Sequence, residues 1–143
     1  MSLTQIIYAS QPFGFDDAIV AGILLDARRC NVRDDVTGAL MVRGDMYLQL
    51  LEGPKHKVEA TFDRISDDDR HVNPVCLMTR TVDQRMFPEW PMLDDPAKDW
   101  VWSIAEVRGG AVERFSAGRE ALRFFERLQV RMGGGTTPPN VVE

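Results

Sequence analysis

Along the first ninety or so residues the spacing of apolar positions switches between alternation and a three-to-four-residue repeat, and each switch marks an element. "LTQIIYAS" (3–10) is rich in apolar and β-branched residues and runs into the turn-like "QPFGF", which predicts a strand. From Asp16, a suitable cap, Ile19, Ile23, Leu24 and Ala27 recur on one face and predict a helix to about Cys30 or Asn31. "VTGALMV" (36–42) and "MYLQLLE" (46–52) flank the tight turn "RGD" and predict a hairpin. "GP" (53–54) breaks the chain before a second helix over 55–66, with Val58, Phe62 and Ile65 as its core stripe. "SDDDRHVNP" (66–74) reads as a loop, "VCLMTRTV" (75–82) as a fourth strand and "WPML" (90–93) as a short last strand.

The order β-α-β-β-α-β-β is the split βαβ, ferredoxin-like pattern with an extra strand: an α+β sheet carrying two helices on one face. After it the pattern turns helical. Asp95 and Pro96 make a helix start, with Trp100, Ile104 and Val107 on one face and "GG" (109–110) as the stop. Ser116 is placed to cap a last helix whose stripe is Leu122, Phe125, Leu128 and Met132. Residues 1–94 are therefore expected to form one unit and 95–132 a two-helix appendage, with 133–143 ("GGGTTPPNVVE") a disordered tail. The appendage is expected on the sheet face left open by the first two helices, which would otherwise expose a large apolar patch.

Composition narrows the class without choosing a function. The chain has 143 residues, 44% hydrophobic and 27% charged, as in a single soluble domain. A net charge of −5 argues against general affinity for nucleic acid. No apolar run approaches the roughly 18 residues of a membrane span, and "MSLTQ" lacks signal-peptide character. Cys30 and Cys76 stand in no metal or redox spacing, and His56 and His71 lack clustered ligand partners, so no metal is expected and the cytoplasm is the expected compartment.

One residue breaks the pattern. In "MYLQLLE" the alternation puts Tyr47, Gln49 and Leu51 on one face of a strand otherwise fit for burial on both sides. A buried carboxamide left without partners costs about 1–3 kcal/mol. In the split βαβ order the first strand adjoins this one, so the Tyr8 phenol, both donor and acceptor, can satisfy Gln49. Such a pair is a structural hydrogen bond or a functional one; the two residues alone leave both readings open.

The wider context changes the balance. "IIYAS", "ARRCN", "VTGAL", "YLQLLEGP", "RISDDDRH" and "RMFPEWPM" follow in this order, and over residues 3–93 the chain resembles the BLUF family of flavin-binding blue-light sensors. The resemblance implies a noncovalently bound FAD, for which FMN or riboflavin can substitute, held between the two helices of a BLUF domain at 1–94. It implies that Tyr8 and Gln49 are the photochemical switch, the amide bridging the phenol to the flavin edge. Ile23, Asn31, Arg64, Asp68, Arg70 and His71 fall at expected flavin-contact positions, and Trp90 and Met92 at positions that report the flavin state. The implied event is electron and proton transfer from tyrosine, followed by rearrangement of the glutamine's hydrogen bonds. The chain ends before a cyclase or phosphodiesterase could fit, so the expected output is contact with a partner protein or a second subunit.

Departures from the family pattern and plainer readings stand beside this. Cys30 precedes Asn31 where His or Asn is common, Asp34–Asp35 stand where a glycine is frequent, and Pro91 removes a backbone donor between Trp90 and Met92. Asn31 also suits a helix C-terminus, Arg64 an ion pair, and Arg70 and His71 an ordinary loop. Arg119, Arg123, Arg127 and Arg131 form a cationic ridge that is either a solvated face or a docking surface for an acidic partner or second subunit. Two rivals belong to other classes. One is a flavin-free ferredoxin-like interaction module. The other is a flavin reductase or small hydrolase, for which neither a dinucleotide glycine fingerprint nor a nucleophile–histidine constellation is recognisable.

Overall fold

The computed structural model describes residues 2–12, 17–43, 46–67, 71–88, 93–96 and 102–132. The elements run β1 (Leu3–Pro12), α1 (Asp17–Asp34), β2 (Thr37–Arg43), β3 (Met46–Gly53), α2 (Lys55–Ser66), β4 (His71–Val82), β5 (Leu93–Pro96), α3 (Ile104–Arg108), a 3₁₀ turn (Ala111–Glu113) and α4 (Ala117–Met132). This is the expected α+β, ferredoxin-like arrangement. The sheet order is β4-β1-β3-β2-β5, antiparallel throughout except for the parallel edge pair β2·β5.

Strand alternation divides the core into two layers. Ile6 and Tyr8 of β1, Leu40 of β2, and Tyr47 and Leu51 of β3 face α1 and α2, where they meet Ile23, Leu24 and Val58. Ile7 and Ala9, Ala39 and Met41, and Met46, Leu48 and Leu50 face the opposite way. That second face is covered by the C-terminal part, through Trp102, Ala117, Ala121, Phe125 and Leu128. Every residue of β3 is buried, because it is a central strand sandwiched between two helical layers.

Helix α1 runs farther than its apolar stripe suggests. It closes at Asp35, which adopts left-handed backbone (φ 59°), while the Val36 N–H reaches the Asn31 carbonyl at 2.9 Å. This is the Schellman closure, with aspartate where glycine is usual. Asn31 is thus inside the helix and is not its terminal residue. Strand β4 likewise begins at His71, so residues 71–74 extend the strand by pairing with the end of β1 instead of forming loop.

Two expectations for the C-terminal part need correction. No helix starts at Asp95–Pro96; these residues end β5, paired with Met41 and Val42. Backbone pairing at the sheet edge overrides a local helix-start signal, and proline is tolerated there because an edge strand has a side that needs no donor. The last strand runs over Leu93–Pro96 and so continues past the expected end at 93, while residues 90–92 lie outside the described residues. The first C-terminal helix is only Ile104–Arg108, opened by a reciprocal capping box between Ser103 and Glu106. At the start of α4 the Ser116 carbonyl accepts from the Glu120 N–H at 2.9 Å, and the Ser116 hydroxyl donates to the Glu120 carboxylate at 2.5 Å. Residues 133–143 lie outside the described residues. No helix among the described residues is long and apolar enough to cross a membrane.

Candidate functional site

Tyr8 and Gln49 are cross-strand neighbours, directly opposite in the β1·β3 register. Both side chains are almost fully buried on the α1/α2 face. Because residues facing each other on adjacent strands project to the same side, the hydrogen bond between them follows from the register. The phenol donates to Gln49 Oε1. The Tyr8 ring is held by Phe62 of α2, edge to face, with centroids 5.1 Å apart. With Oε1 turned to the phenol, the other end of the amide is its NH₂ group.

Gln49 lies at the floor of a cleft of about 230 Å³ between α1 and α2. Its walls are largely apolar: Ile23 and Ala27 from α1, Leu51 from β3, Ile65 from α2. Its polar lining includes Asn31, Thr61 and Arg64. The Thr61 hydroxyl donates to the Lys57 carbonyl at 2.8 Å, one helical turn back, and so is already engaged within α2. Asn31 is 1% exposed, and its Oδ1 is buried with no hydrogen bond among the described residues. Apolar walls with a few convergent polar groups are the usual make-up of a small-molecule site.

Charge collects at the end of this groove. Arg33 grips both oxygens of Asp34 at 3.0 Å, while Lys57 and Arg64 reach across from α2 to within 3.9 Å. The hydrogen bond from Arg33 holds the Asp34 carboxyl below the usual carboxylate range, aided by the charges of Arg33, Lys57 and Arg64.

A second polar network ties the α1 end of the cleft to the opposite face of the sheet. Arg85, on the connection after β4, donates to the Asp35 carbonyl at 2.8 Å and to Thr37 Oγ1 at 3.0 Å. The buried Glu52 carboxylate accepts from the Met86 and Phe87 N–H groups at 2.9 and 2.6 Å, and from Gln5 Nε2 at 3.0 Å. Gln129 of α4 donates to the Met86 carbonyl at 3.2 Å, and Phe87 packs edge-on against Phe125. The connection is thereby bonded to the end of α1, the end of β3 and α4.

Of the residues singled out from sequence, Tyr8, Ile23, Asn31, Gln49 and Arg64 come together at or beside this cleft. Asp68, Arg70, Trp90 and Met92 lie outside the described residues, as does the side chain of His71, whose backbone pairs with Pro12. Sequence reasoning missed Thr61 and the α1 residues Asp26, Arg29 and Cys30 as cleft lining. Thr61 follows Val58 by three positions and so shares its face, a spacing that could have revealed it.

A family model described as BLUF, sensors of blue-light using FAD, matches residues 3–93. The beta subunit of a photoactivated adenylate cyclase of Euglena gracilis is 32% identical over 92 residues, which are 64% of this chain and 10% of that protein. The blue light- and temperature-regulated antirepressor BluF of Escherichia coli (strain K12) is 36% identical over 87 residues, 59% of this chain and 21% of that protein. The chain thus matches only a small part of either relative's length. The dark-state structure of BlrB, a BLUF protein, superposes with a TM-score of 0.75 at 24% identity, covering 91% of this chain and 97% of that one. The shared fold therefore extends past residue 93 into the C-terminal helices.

Proposed function

The chain belongs to the BLUF family, sensors of blue light that use FAD, and from that premise we propose that Tyr8 and Gln49 are the switch of a flavin-based light receptor. The observation that carries this is the buried phenol-to-amide hydrogen bond at the floor of the α1/α2 cleft. The cleft's volume is below the roughly 300–1,000 Å³ of sites that engulf a drug-sized ligand. It suits a ring system, with the sugar-like chain and any nucleotide portion running out along the groove. FAD is the expected form; FMN and riboflavin carry the same ring. Asn31 supports the fit as a buried carboxamide lining the cleft, a side chain suited to the polar edge of a ring. Ile23 supplies apolar contact, and Arg64 the polar edge. Asp68, Arg70 and His71 are assigned to the same pocket by family position, and Trp90 and Met92 to reporting its state.

When bound, flavin supplies absorption of blue light and an excited state that readily accepts an electron. The residues provide the rest. Tyr8 is a side chain able to yield an electron and then the proton on its Oη. Gln49 receives that proton's hydrogen bond and presents its NH₂ end to the cleft. Rotation or tautomerisation of the amide exchanges donor for acceptor at the cleft floor. Inside a low-dielectric pocket a mispaired polar group costs about 1–3 kcal/mol, enough to bias a two-state element. Residues 1–94 hold the switch, and 95–132 carry the change outward to a partner protein or a second copy.

An absorption spectrum in darkness and under blue light tests the reading. Purified protein is expected to be yellow and to show a small, reversible red shift of the flavin band. Colourless protein that takes up no added flavin would instead favour a protein-interaction module that has lost its cofactor.

A further inference from the structure

We infer that the outer edge of β4 and the start of α4 form a docking groove for an extended, acidic peptide segment of a partner protein. This groove, of about 320 Å³, lies on the α4 face of the sheet, opposite the face that carries the cleft. Leu77, Met78 and Thr79 of β4 line one side, and Phe115, Ser116 and Arg119 the other. Phe115 is 105% exposed, so an entire aromatic ring stands in solvent beside two half-buried apolar side chains. Such a ring is the kind of anchor on which peptide interfaces are built. Strand β4 is the margin of the sheet and, among the described residues, pairs only with β1. Pro74 and the irregularity between Met78 and Cys76 blunt its first half, as sheet edges usually are blunted. From Met78 to Val82 the register with β1 is unbroken, so the outer row of backbone groups is regular there, the template that strand addition uses.

Charge selects the partner. Strand β4 contains no acid and one arginine, Arg80, on the same face as Met78 and donating to Gln5 at 2.7 Å. Helix α4 contains two acids. Glu120 is committed to Ser116, Trp102 and Arg114, whereas Glu126 is exposed two turns beyond Arg119. Against Glu126, and Asp83 just past the end of β4, stand Arg80, Arg119, Arg123 and Arg127. Arg119 and Arg123 are one turn apart on an exposed face and make no ion pair among the described residues. The excess is positive in a chain whose net charge is −5. An acidic strand laid along β4 would bond to its edge, set apolar side chains against Met78 and Phe115, and bring carboxylates to Arg119 and Arg123. Nucleic acid fits less well, because its phosphates use neither an apolar groove nor a strand edge.

Selection of phage-displayed random peptides on the full-length chain provides the probe. Enriched sequences should combine apolar and acidic residues in alternation, and a synthetic peptide of the enriched sequence should protect outward-facing amides of residues 78–82 from hydrogen exchange. Phe115→Ala and Arg119→Gln, both at exposed positions away from the cleft, should each weaken that peptide about fivefold or more, and about 1 M salt should weaken it too. Enrichment without acidic bias, binding indifferent to both substitutions, or no gain of protection along β4 would overturn the inference. So would a chain that sediments as a dimer with those amides already protected, since a second copy would then hold the edge. Displacement of the peptide by oligothymidylate at lower concentration than by free peptide would make this a phosphate-binding surface and overturn it as well. None of these outcomes depends on flavin, so the light-sensing reading stands or falls separately.

Discussion

Gln49 owes its position to alternation and its chemistry to Tyr8. Replacing Tyr8 with phenylalanine keeps the ring against Phe62 but takes from Gln49 Oε1 the donor it uses now. The expected cost is about 1 kcal/mol and at most about 3, read as a lowered denaturation midpoint, with flavin retained and the light-induced red shift lost. A Tyr8→Phe protein that still shifted normally would mean that the phenol is only structural. At this scale the sequence was informative where strand period and strand order sufficed: both place Tyr8 and Gln49 on one face of adjoining strands. It was uninformative where a helical residue's role depends on a neighbouring helix. Thr61 looks like an ordinary polar residue until α1 is set across from it. Asp34 looks like one of several surface acids until Arg33, Lys57 and Arg64 converge on it.

Elements were read well where apolar period and breakers agreed, as for the β2–β3 hairpin and α2, and poorly where long-range pairing decided. Asp95–Pro96 carries a sound local helix signal, yet β2 captures it as a strand. The true start of α3 was written in the sequence as Ser103-x-x-Glu106, a capping box hidden by the stronger-looking proline. Helix α4 is held by two features that can be tested separately. Gly118 lies so close to β4 that an added Cβ would stand 2.3 Å from the Leu77 carbonyl oxygen. Gly118→Ala should therefore destabilise by about 1–3 kcal/mol through overpacking, measured by denaturant unfolding; an unchanged midpoint would show that α4 does not need this approach. The second feature is Glu120, which accepts from Ser116, from Trp102 Nε1 at 2.9 Å and from Arg114 at 2.7 Å. The Ser116 bond first, then the Trp102 bond, hold its carboxyl below the usual range. A carboxyl lowered on folding contributes stability above its unfolded pKa of about 4.3, and that contribution is lost as pH falls through the lower folded value. Stability should thus decline between about pH 5 and 3, and Glu120→Gln should flatten the decline; an identical pH profile would remove Glu120 from the account.

For the whole molecule, the sheet is the partition and the β4–β5 connection is the bridge across it. The cleft lies on one face and α4 on the other. Arg85 bonds to the residue that ends α1, the helix carrying Asn31. The neighbouring Met86 and Phe87 bond to Glu52 and contact α4 through Gln129 and Phe125. A rearrangement at the cleft therefore has a bonded route to the far face, with Glu52 as its buried anchor. That route was not legible in the sequence, because Glu52, Arg85 and Gln129 meet only through the sheet. The claim on which the rest depends is that the Gln49 amide converts light absorbed in the cleft into a changed hydrogen-bond pattern. The most direct measurement is the light-minus-dark absorption spectrum of flavin-loaded Gln49→Leu beside the unaltered protein. The account expects a reversible red shift in the unaltered protein and none in the variant, at equal flavin content. A variant that shifts and recovers as the unaltered protein does would contradict it.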